Sequence, residues 1–356
     1  MLRFFHRAQL DATQVNRWNK FLDGIPTVHF RQTPNWAPVE MDEGWPVRTA
    51  PTFFWAEKNE EIKLTAVVTR RELRVPPLVS YEISKGPVFN ELPILELALP
   101  ELQRLSRHHG FRLRVSPFLE LDSGGDEIET ALERLGFVRH RVYGLWATLR
   151  VDLRKSEEEL RSELRRTTRN NIRKAAEEGV TVVCDDSRDG WSAFQQLQRE
   201  MSDRKNTGYL ALSYMERLSR MWLRSGVGGT FLFAIYQGRP VAAGLVIRWR
   251  DTVFYEAAAS TRAFPKIPTS YLLAWELLRW AKAQGCSTFD LGGYSMLARP
   301  GESLWGVNQF KRGFVPNTPP TRYVAVHEWH PSIPALLAAS LRGSPVPGTS
   351  SSAWDR

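Results

Sequence analysis

One pattern occurs twice in this chain. A leucine-rich helical stretch stops at Gly110, a strand-like run leads to Pro117, and a second helix ends in Gly136-Phe137-Val138; later a helix stops at Gly285, the strand Phe289-Asp290-Leu291 follows, and Gly313-Phe314-Val315 closes the set. Gly110 and Gly285 are 175 residues apart, and Gly136 and Gly313 are 177 apart. Two copies of one α/β unit are therefore expected, and a chain of 356 residues has room for two cores. Glycine follows helices in many folds, so the spacing by itself leaves coincidence open.

Periodicity fills in the rest. Residues 1 to about 95 read as short β-like runs, with a strand at Ile62–Thr69, between turns at Pro34-Asn35-Trp36, Gly44-Trp45-Pro46, Pro76-Pro77 and Gly86-Pro87. Helices are predicted over Pro93–His109, Asp126–Leu135, Glu157–Glu178, Trp191–Arg204, Ser213–Arg224 and Ser270–Ala283. Phe137–Leu149, Val180–Cys184 and Val324–Trp329 read as strands, and Thr230–Ala259 as an antiparallel meander. From Gly343 onward Gly, Ser and Pro give no reason to order.

Hydrophobic residues at 42% and charged residues at 24% exclude a largely disordered or fibrous chain. No apolar run reaches the roughly 20 residues of a spanning helix, and Met1–Leu10 carries charges where a signal peptide would be apolar. The expected location is the cytoplasm. Cys184 and Cys286, far apart in sequence, suggest no disulfide framework and no zinc knuckle.

Charge is uneven. Arg161–Lys174 holds six basic residues against Glu163, a local +5, and Arg299–Arg322 holds four against Glu302, a local +3, within a total of +9. Such clustering suits an anionic partner, phosphate, nucleic acid or a lipid headgroup, although a solvated helix face accounts for a basic run equally well. Arg161, Arg165, Arg169 and Arg173 recur every four residues and are predicted to share one helix face.

The chemistry narrows by elimination. The seven histidines are scattered: His108 and His109 are neighbours at a helix end, and His327 and His330 lack a third ligand. No G-x-S-x-G elbow, P-loop or dinucleotide fingerprint occurs, so neither a metal nor an organic cofactor is expected. What remains is a reaction in which the protein positions two substrates and stabilises developing charge. Acyl transfer to an amine fits, because the amine is itself the nucleophile and the carbonyl oxygen becomes an oxyanion.

Here the residues carry a resemblance. Leu164–Val180, Tyr271–Gly293 and Phe310-Lys311-Arg312-Gly313-Phe314, with Gln32 and Trp36, Gly86-Pro87, Val115-Ser116-Pro117 and Leu135-Gly136-Phe137 before them, resemble the Fem family of peptidoglycan bridge-forming aminoacyltransferases, in the family's order over about 300 residues. The resemblance implies an α/β (α+β) fold of two tandem GNAT-like acyltransferase domains, each a mixed, mostly antiparallel sheet flanked by helices. It places the first at 1–152, joined by 323–341, the second at 153–322, and leaves 342–356 as a tail. It implies an aminoacyl-tRNA donor and an amine acceptor on a peptidoglycan precursor or similar molecule, with peripheral contact at the inner membrane surface as a further expectation and no DNA partner.

Residue by residue, the resemblance implies that Lys311, with Phe310 beside it, lies at the acyl-transfer centre. There an ammonium would stabilise the tetrahedral oxyanion. Arg204 and Tyr214 match the region that grips the precursor's phosphates, Tyr255 a groove aromatic, Asp122 an acid that meets substrate, and Trp36 a substrate-binding aromatic. The basic row Arg161, Arg165, Arg169 and Arg173, with Arg312, is expected to track tRNA. Each has a plain structural alternative: a strand tyrosine packs, and an Asp in Asp-Ser-Gly-Gly turns the chain. The sequence also departs from the family, with Glu40 where a basic residue is usual, Ala257 in place of a second groove tyrosine, and no long helical-hairpin arm in the second half.

Donor choice stays open at this level. Acyl-CoA enzymes of this fold wrap the pyrophosphate in an [R/Q]-x-x-G-x-[G/A] loop; only Arg107 with Gly110 and Arg141 with Gly144 have the first glycine, and Arg112 and Trp146 occupy the last position. This favours aminoacyl-tRNA over an acyl-CoA-dependent N-acyltransferase. A non-catalytic RNA or anionic-surface binding protein on the same scaffold is the third reading.

Overall fold

The computed structural model describes residues 1–41, 47–74, 77–107, 110–140, 146–205, 209–222 and 228–331. Expectations for Gly44-Trp45-Pro46, Pro76, His108, His109 and everything past 331, including the tail, lie outside these residues. The chain divides into two compact units, one formed by Met1–Trp146 with the chain from Arg322, the other by Ala147–Thr321.

The first unit runs β1 (Arg3–Arg7), α1 (Ala12–Asp23), α2 (Ala37–Glu40), β2 (Val47–Lys58), β3 (Glu61–Arg74), β4 (Pro77–Ile83), β5 (Val88–Phe89), α3 (Leu92–Arg107), β6 (Gly110–Val115), α4 (Gly125–Arg134) and β7 (Val138–Arg139). Helix α1 was not foreseen. It starts because Asp11 and Gln14 cap each other: the Gln14 N–H donates to Asp11 Oδ1 at 2.8 Å and the Asp11 N–H to Gln14 Oε1 at 3.0 Å. Its Trp18 and Leu22, four apart, are buried. In α3 the apolar face of Leu95, Leu99 and Leu102 packs with Ile83, Leu113 and Val115.

The second unit holds β8 (Trp146–Asp152), α5 (Glu157–Glu163), α6 (Arg166–Glu177), β9 (Thr181–Cys184), α7 (Arg188–Lys205), α8 (Leu212–Trp222), β10 (Gly228–Tyr236), β11 (Arg239–Trp249), β12 (Thr252–Ser260), α9 (Thr269–Ala283), β13 (Thr288–Ser295), α10 (Ser303–Arg312) and β14 (Thr321–Arg322), followed in the first unit by β15 (His327–Trp329). The two sheets have the orders β1-β2-β3-β4-β6-β15-β7, with β5 on β3, and β14-β8-β13-β12-β11-β10-β9. In each, one parallel pair is joined through a helix: β4 and β6 by α3, β12 and β13 by α9. Gly285, with φ +74°, follows the C-cap of α9, whereas Gly110 is the first residue of β6, so the two glycines mark the same crossover from helix to strand. Both units have the mixed, mostly antiparallel sheet expected, and among the described residues no long helical arm interrupts either.

Two sequence expectations need correction. Phe137–Leu149 is not one strand: β7 belongs to the first sheet and β8 to the second. Glu157–Glu178 is not one helix either. Leu164 and Arg165 have extended ψ values of 146° and 144°, so α5 ends and α6 begins anew. The break is tertiary in origin. Leu164 is buried, and the Arg165 N–H donates to the Gly313 carbonyl at 2.9 Å rather than continuing the helix. Arg169 then turns back from α6, its Nη1 donating to the Ser162 carbonyl at 2.8 Å and to that of Leu164, which caps the end of α5. The four arginines therefore do not share one helix face. No described helix is long and apolar enough to cross a membrane.

Candidate active site

In the second unit β12 and β13 pair in parallel only over Thr252–Thr288, Val253–Phe289 and Phe254–Asp290. Beyond that the pairing stops while β12 continues to Ser260 and β13 to Ser295. Two strand arms diverge at their carboxyl ends, where open α/β sheets bind ligands. Both arms are lined by small residues, Ala257-Ala258-Ala259-Ser260 on one and Gly292-Gly293 on the other.

Asp290 fixes the branch point. Buried, it accepts the Thr148 hydroxyl and, at 2.8 Å, the Gly292 N–H. Gly292 has φ +74°, a conformation glycine adopts at no steric cost. Helix α10 is pinned to this arm by two side chains one turn apart. Asn308 Nδ2 donates to the Ser295 carbonyl at 2.8 Å while the Ser295 N–H donates to Asn308 Oδ1 at 3.2 Å. Lys311 Nζ donates to the Gly293 carbonyl at 2.5 Å.

Lys311 is only 4% exposed. Burial lowers its pKa to about 7, against which the Asp290 carboxylate pulls upward. Such an ammonium is held between charge states at neutral pH, a property that clusters at functional sites. Phe310 packs edge-on to Tyr271, with ring centres 5.0 Å apart, and to Phe314 at 5.4 Å. It thereby holds the turn that aims Lys311. Gly313 follows because a Cβ there would run into Thr168 Oγ1 on α6.

Sequence reasoning missed Asn308, whose i, i+3 relation to Lys311 was the available signal. It also missed Glu256. On β12, Tyr255 pairs with Val246 and Ala257 with Leu245, neighbours on β11, so Glu256 is the extra residue of a β-bulge, and it is buried.

The remaining residues of this unit are placed as follows. Tyr255 is a core residue, packed among Leu277, Phe289 and their neighbours, and burial pushes its hydroxyl pKa up. Tyr214 is likewise buried. Tyr255, expected as a groove aromatic, thus has its ring in the core, and Tyr214, expected in the phosphate-gripping region, has its ring buried on α8. Arg204 is held on α7 by Glu200 at 2.8 Å and the Ser260 carbonyl at 2.8 Å, at the end of the β12 arm. Arg312 donates to the Thr318 carbonyl at 2.5 Å and lies 5.2 Å over the Tyr294 ring. Arg165 donates to Gln309 Oε1 at 3.0 Å. Of the basic row, Arg161 and Arg173 are exposed, as are Arg166 and Lys174 beside them.

Trp36 and Asp122 belong to the first unit. Trp36 is fully buried; its Nε1 donates to Glu40 Oε1 at 2.7 Å, and Arg31 lies 5.2 Å over its ring. Glu40 also pairs with Arg31 at 2.5 Å, so the acid at the expected basic position forms part of a neutral ion pair. Asp122 is exposed and faces Arg322 at 3.3 Å. Nearby, His29 is buried with its pKa pushed well down by burial, then by Lys85 and Arg31, and so stays a neutral imidazole. Lys85 lies 5.6 Å over the Phe118 ring, which stacks on Tyr323.

Comparison with known proteins agrees with this architecture. Residues 162–312 match a family model described as an acetyltransferase (GNAT) domain. Among solved structures, FemX superposes with a TM-score of 0.73 at 15% identity, over 96% of this chain and 100% of that one. A tandem GNAT protein from the clavulanic acid biosynthesis pathway gives 0.62 at 12% identity, over 93% and 99%. L-PGS from Bacillus licheniformis gives 0.53 at 12%, over 92% and 96%. No curated protein matches the chain by sequence.

Proposed function

We propose that this Fem-like tandem-GNAT acyltransferase moves an aminoacyl group from tRNA onto an amine of a peptidoglycan precursor or similar acceptor, in the cytoplasm. The observation that carries the reading is Lys311: a buried ammonium held on the Gly293 carbonyl at the divergence of β12 and β13, within the stretch that matches the acyltransferase family. In acyl transfer the carbonyl oxygen gains negative charge only as the tetrahedral intermediate forms. A cation fixed in a water-poor site favours that state over the substrate. The exposed Arg161, Arg166, Arg173 and Lys174 supply charge for a polyanionic donor.

A second reading, transfer from an acyl-CoA, is favoured by the description of the matched family as acetyltransferases. The two are separated by incubating the protein with radiolabelled aminoacyl-tRNAs or with acetyl-CoA, in the presence of candidate amine acceptors. Label transfer from tRNA supports the first reading. Transfer from acetyl-CoA and never from tRNA replaces it with the second.

A further inference from the structure

An ammonium withdrawn from water tends to shed its proton, so a site that uses Lys311 as a cation has to hold the charge on it. A carbonyl dipole such as that of Gly293 supplies part of the attraction, and a full negative charge supplies more. We propose that Asp290 is the positioning residue of the acyl-transfer centre: it fixes the turn that presents the Gly293 carbonyl to Lys311 and, as a buried counter-charge, keeps that lysine a cation while the enzyme works. The kinetic side of the inference rests on the acyl-transfer reading but not on which donor is used.

Asp290 is the last β13 residue paired with β12, and it is buried. Its Oδ1 accepts the Thr148 hydroxyl and the Gly292 N–H, and the same hydroxyl reaches the Gly292 carbonyl at 3.1 Å. Gly292 is thus gripped at both its N–H and its C=O, and its positive φ turns the chain so that the next carbonyl, that of Gly293, receives Lys311 Nζ. An asparagine would hold this turn equally well, because its Oδ1 accepts the same N–H and the same hydroxyl. A carboxylate withdrawn from water costs stability that an amide does not, so the choice of Asp needs a partner for its charge. Lys311 is that partner: the Asp290 carboxylate pulls its pKa upward against the burial that lowers it. Other charged groups stand on the neighbouring elements. Arg150 on β8 has its Nε 3.9 Å from Asp290 Oδ2 and opposes the effect, Glu256 follows the paired stretch of β12, Arg165 of α6 donates to Gln309, and Arg312 turns to the Thr318 carbonyl.

Replacing Asp290 by Asn keeps the acceptor bonds and removes one buried negative charge, so Lys311 loses its proton at lower pH. Above that pH the oxyanion has no cation beside it, and acyl transfer slows. The alkaline limb of kcat should move down by about one pH unit, and the deficit against the parent should be about fivefold larger at pH 8 than at pH 6. Stability gives a second, activity-free reading. A lysine whose folded pKa lies further below its unfolded value destabilises the fold over a wider range, so the rise of stability with pH should begin about one unit lower in the variant.

The test measures kcat and KM across pH for the parent, Asp290→Asn and Asp290→Ser, from aminoacyl-tRNA and from acetyl-CoA, with a precursor peptide bearing a free amine as acceptor, and urea melts of all three proteins over the same range. Both neutral variants are expected to keep the acceptor KM within about twofold and to lose kcat on the alkaline side first. Asp290→Ser, whose hydroxyl still accepts the Gly292 N–H, carries the comparison if the Asn variant fails to fold. A folded neutral variant that keeps the parent's alkaline limb overturns the assignment, whether its kcat is lowered or not, because the residue then only holds a turn; a limb that moves up overturns it as well. A parent chain inactive with every donor defeats the acyl-transfer reading itself, and the melts then decide the charge role of Asp290 separately: a rise of stability that starts at the same pH in parent and variant rejects it.

Discussion

At the scale of single residues the account turns on Lys311 and its ionisation. Because burial lowers its pKa from 10.5 to about 7, the folded chain holds fewer protons than the unfolded chain between those values. Stability therefore rises with pH across that window, at most on the order of 1 kcal/mol per pH unit. Lys311→Met removes the dependence. Urea melts should show the variant gaining on the parent at pH 7 and the gap closing toward pH 10; a constant gap contradicts the buried-ammonium picture. The same substitution should lower kcat by about 100- to 1,000-fold and abolish the fall in activity above pH 7 that loss of the cation produces. Lys311 was legible because Phe310-Lys311-Arg312-Gly313-Phe314 is a contiguous motif. Glu256 was not, because a bulge is a mismatch between β11 and β12 and has no local signature.

Elements show where periodicity misleads. Leu160, Leu164 and Ile172 keep an apolar stripe through residues 157–178, so one helix is the natural sequence reading. The break at Leu164–Arg165 is imposed from outside by the Gly313 carbonyl, which no local pattern encodes. Arg169→Ala removes the cap on the end of α5 and should destabilise the chain by about 1–2 kcal/mol in chemical denaturation. Gly313→Ala, forcing a methyl against Thr168, should cost about 1–3 kcal/mol. RNA binding separates the same arginines by role. In salt titrations with tRNA, replacing exposed Arg161, Arg173 and Lys174 together should flatten the log–log slope by about 2–3, whereas Arg169→Ala leaves it unchanged. Equal slopes for both sets would remove the α5–α6 surface from the donor site. By contrast α1 was legible and overlooked, since Asp11 and Gln14 form a capping box with Trp18 and Leu22 spaced behind it.

For the whole molecule, the duplicated plan was visible in offsets of 175 and 177 residues because the same crossover, helix then glycine then strand, is built twice. What the offsets did not reveal is that the first sheet is completed by β15, delivered from the far end of the chain between β6 and β7. Charge secures it there. Burial opposes ionisation of Glu328, but the His330 hydrogen bond and the Arg114 and Arg112 cations, the former at 2.5 Å, hold its carboxyl far below the usual range. A depressed carboxylate contributes stability above its unfolded pKa that is lost as pH falls. Glu328→Gln should therefore cost about 1–3 kcal/mol at pH 7, where Arg112 and Arg114 lose this carboxylate but keep the Glu82 carboxylate beside them, and should make stability less sensitive to acid below pH 4.5. An unaltered acid-unfolding curve would contradict this role.

The central claim, that the second unit forms amides by aminolysis of an activated acyl group beside Lys311, is tested most directly by following label from donor to acceptor amine in the parent and in Lys311→Ala. The account predicts an acid-stable amide product with the parent, from tRNA as donor, and a rate lower by about 100-fold or more in a variant that still folds. Equal turnover by the two proteins, or no transfer from any donor by the parent, would contradict it.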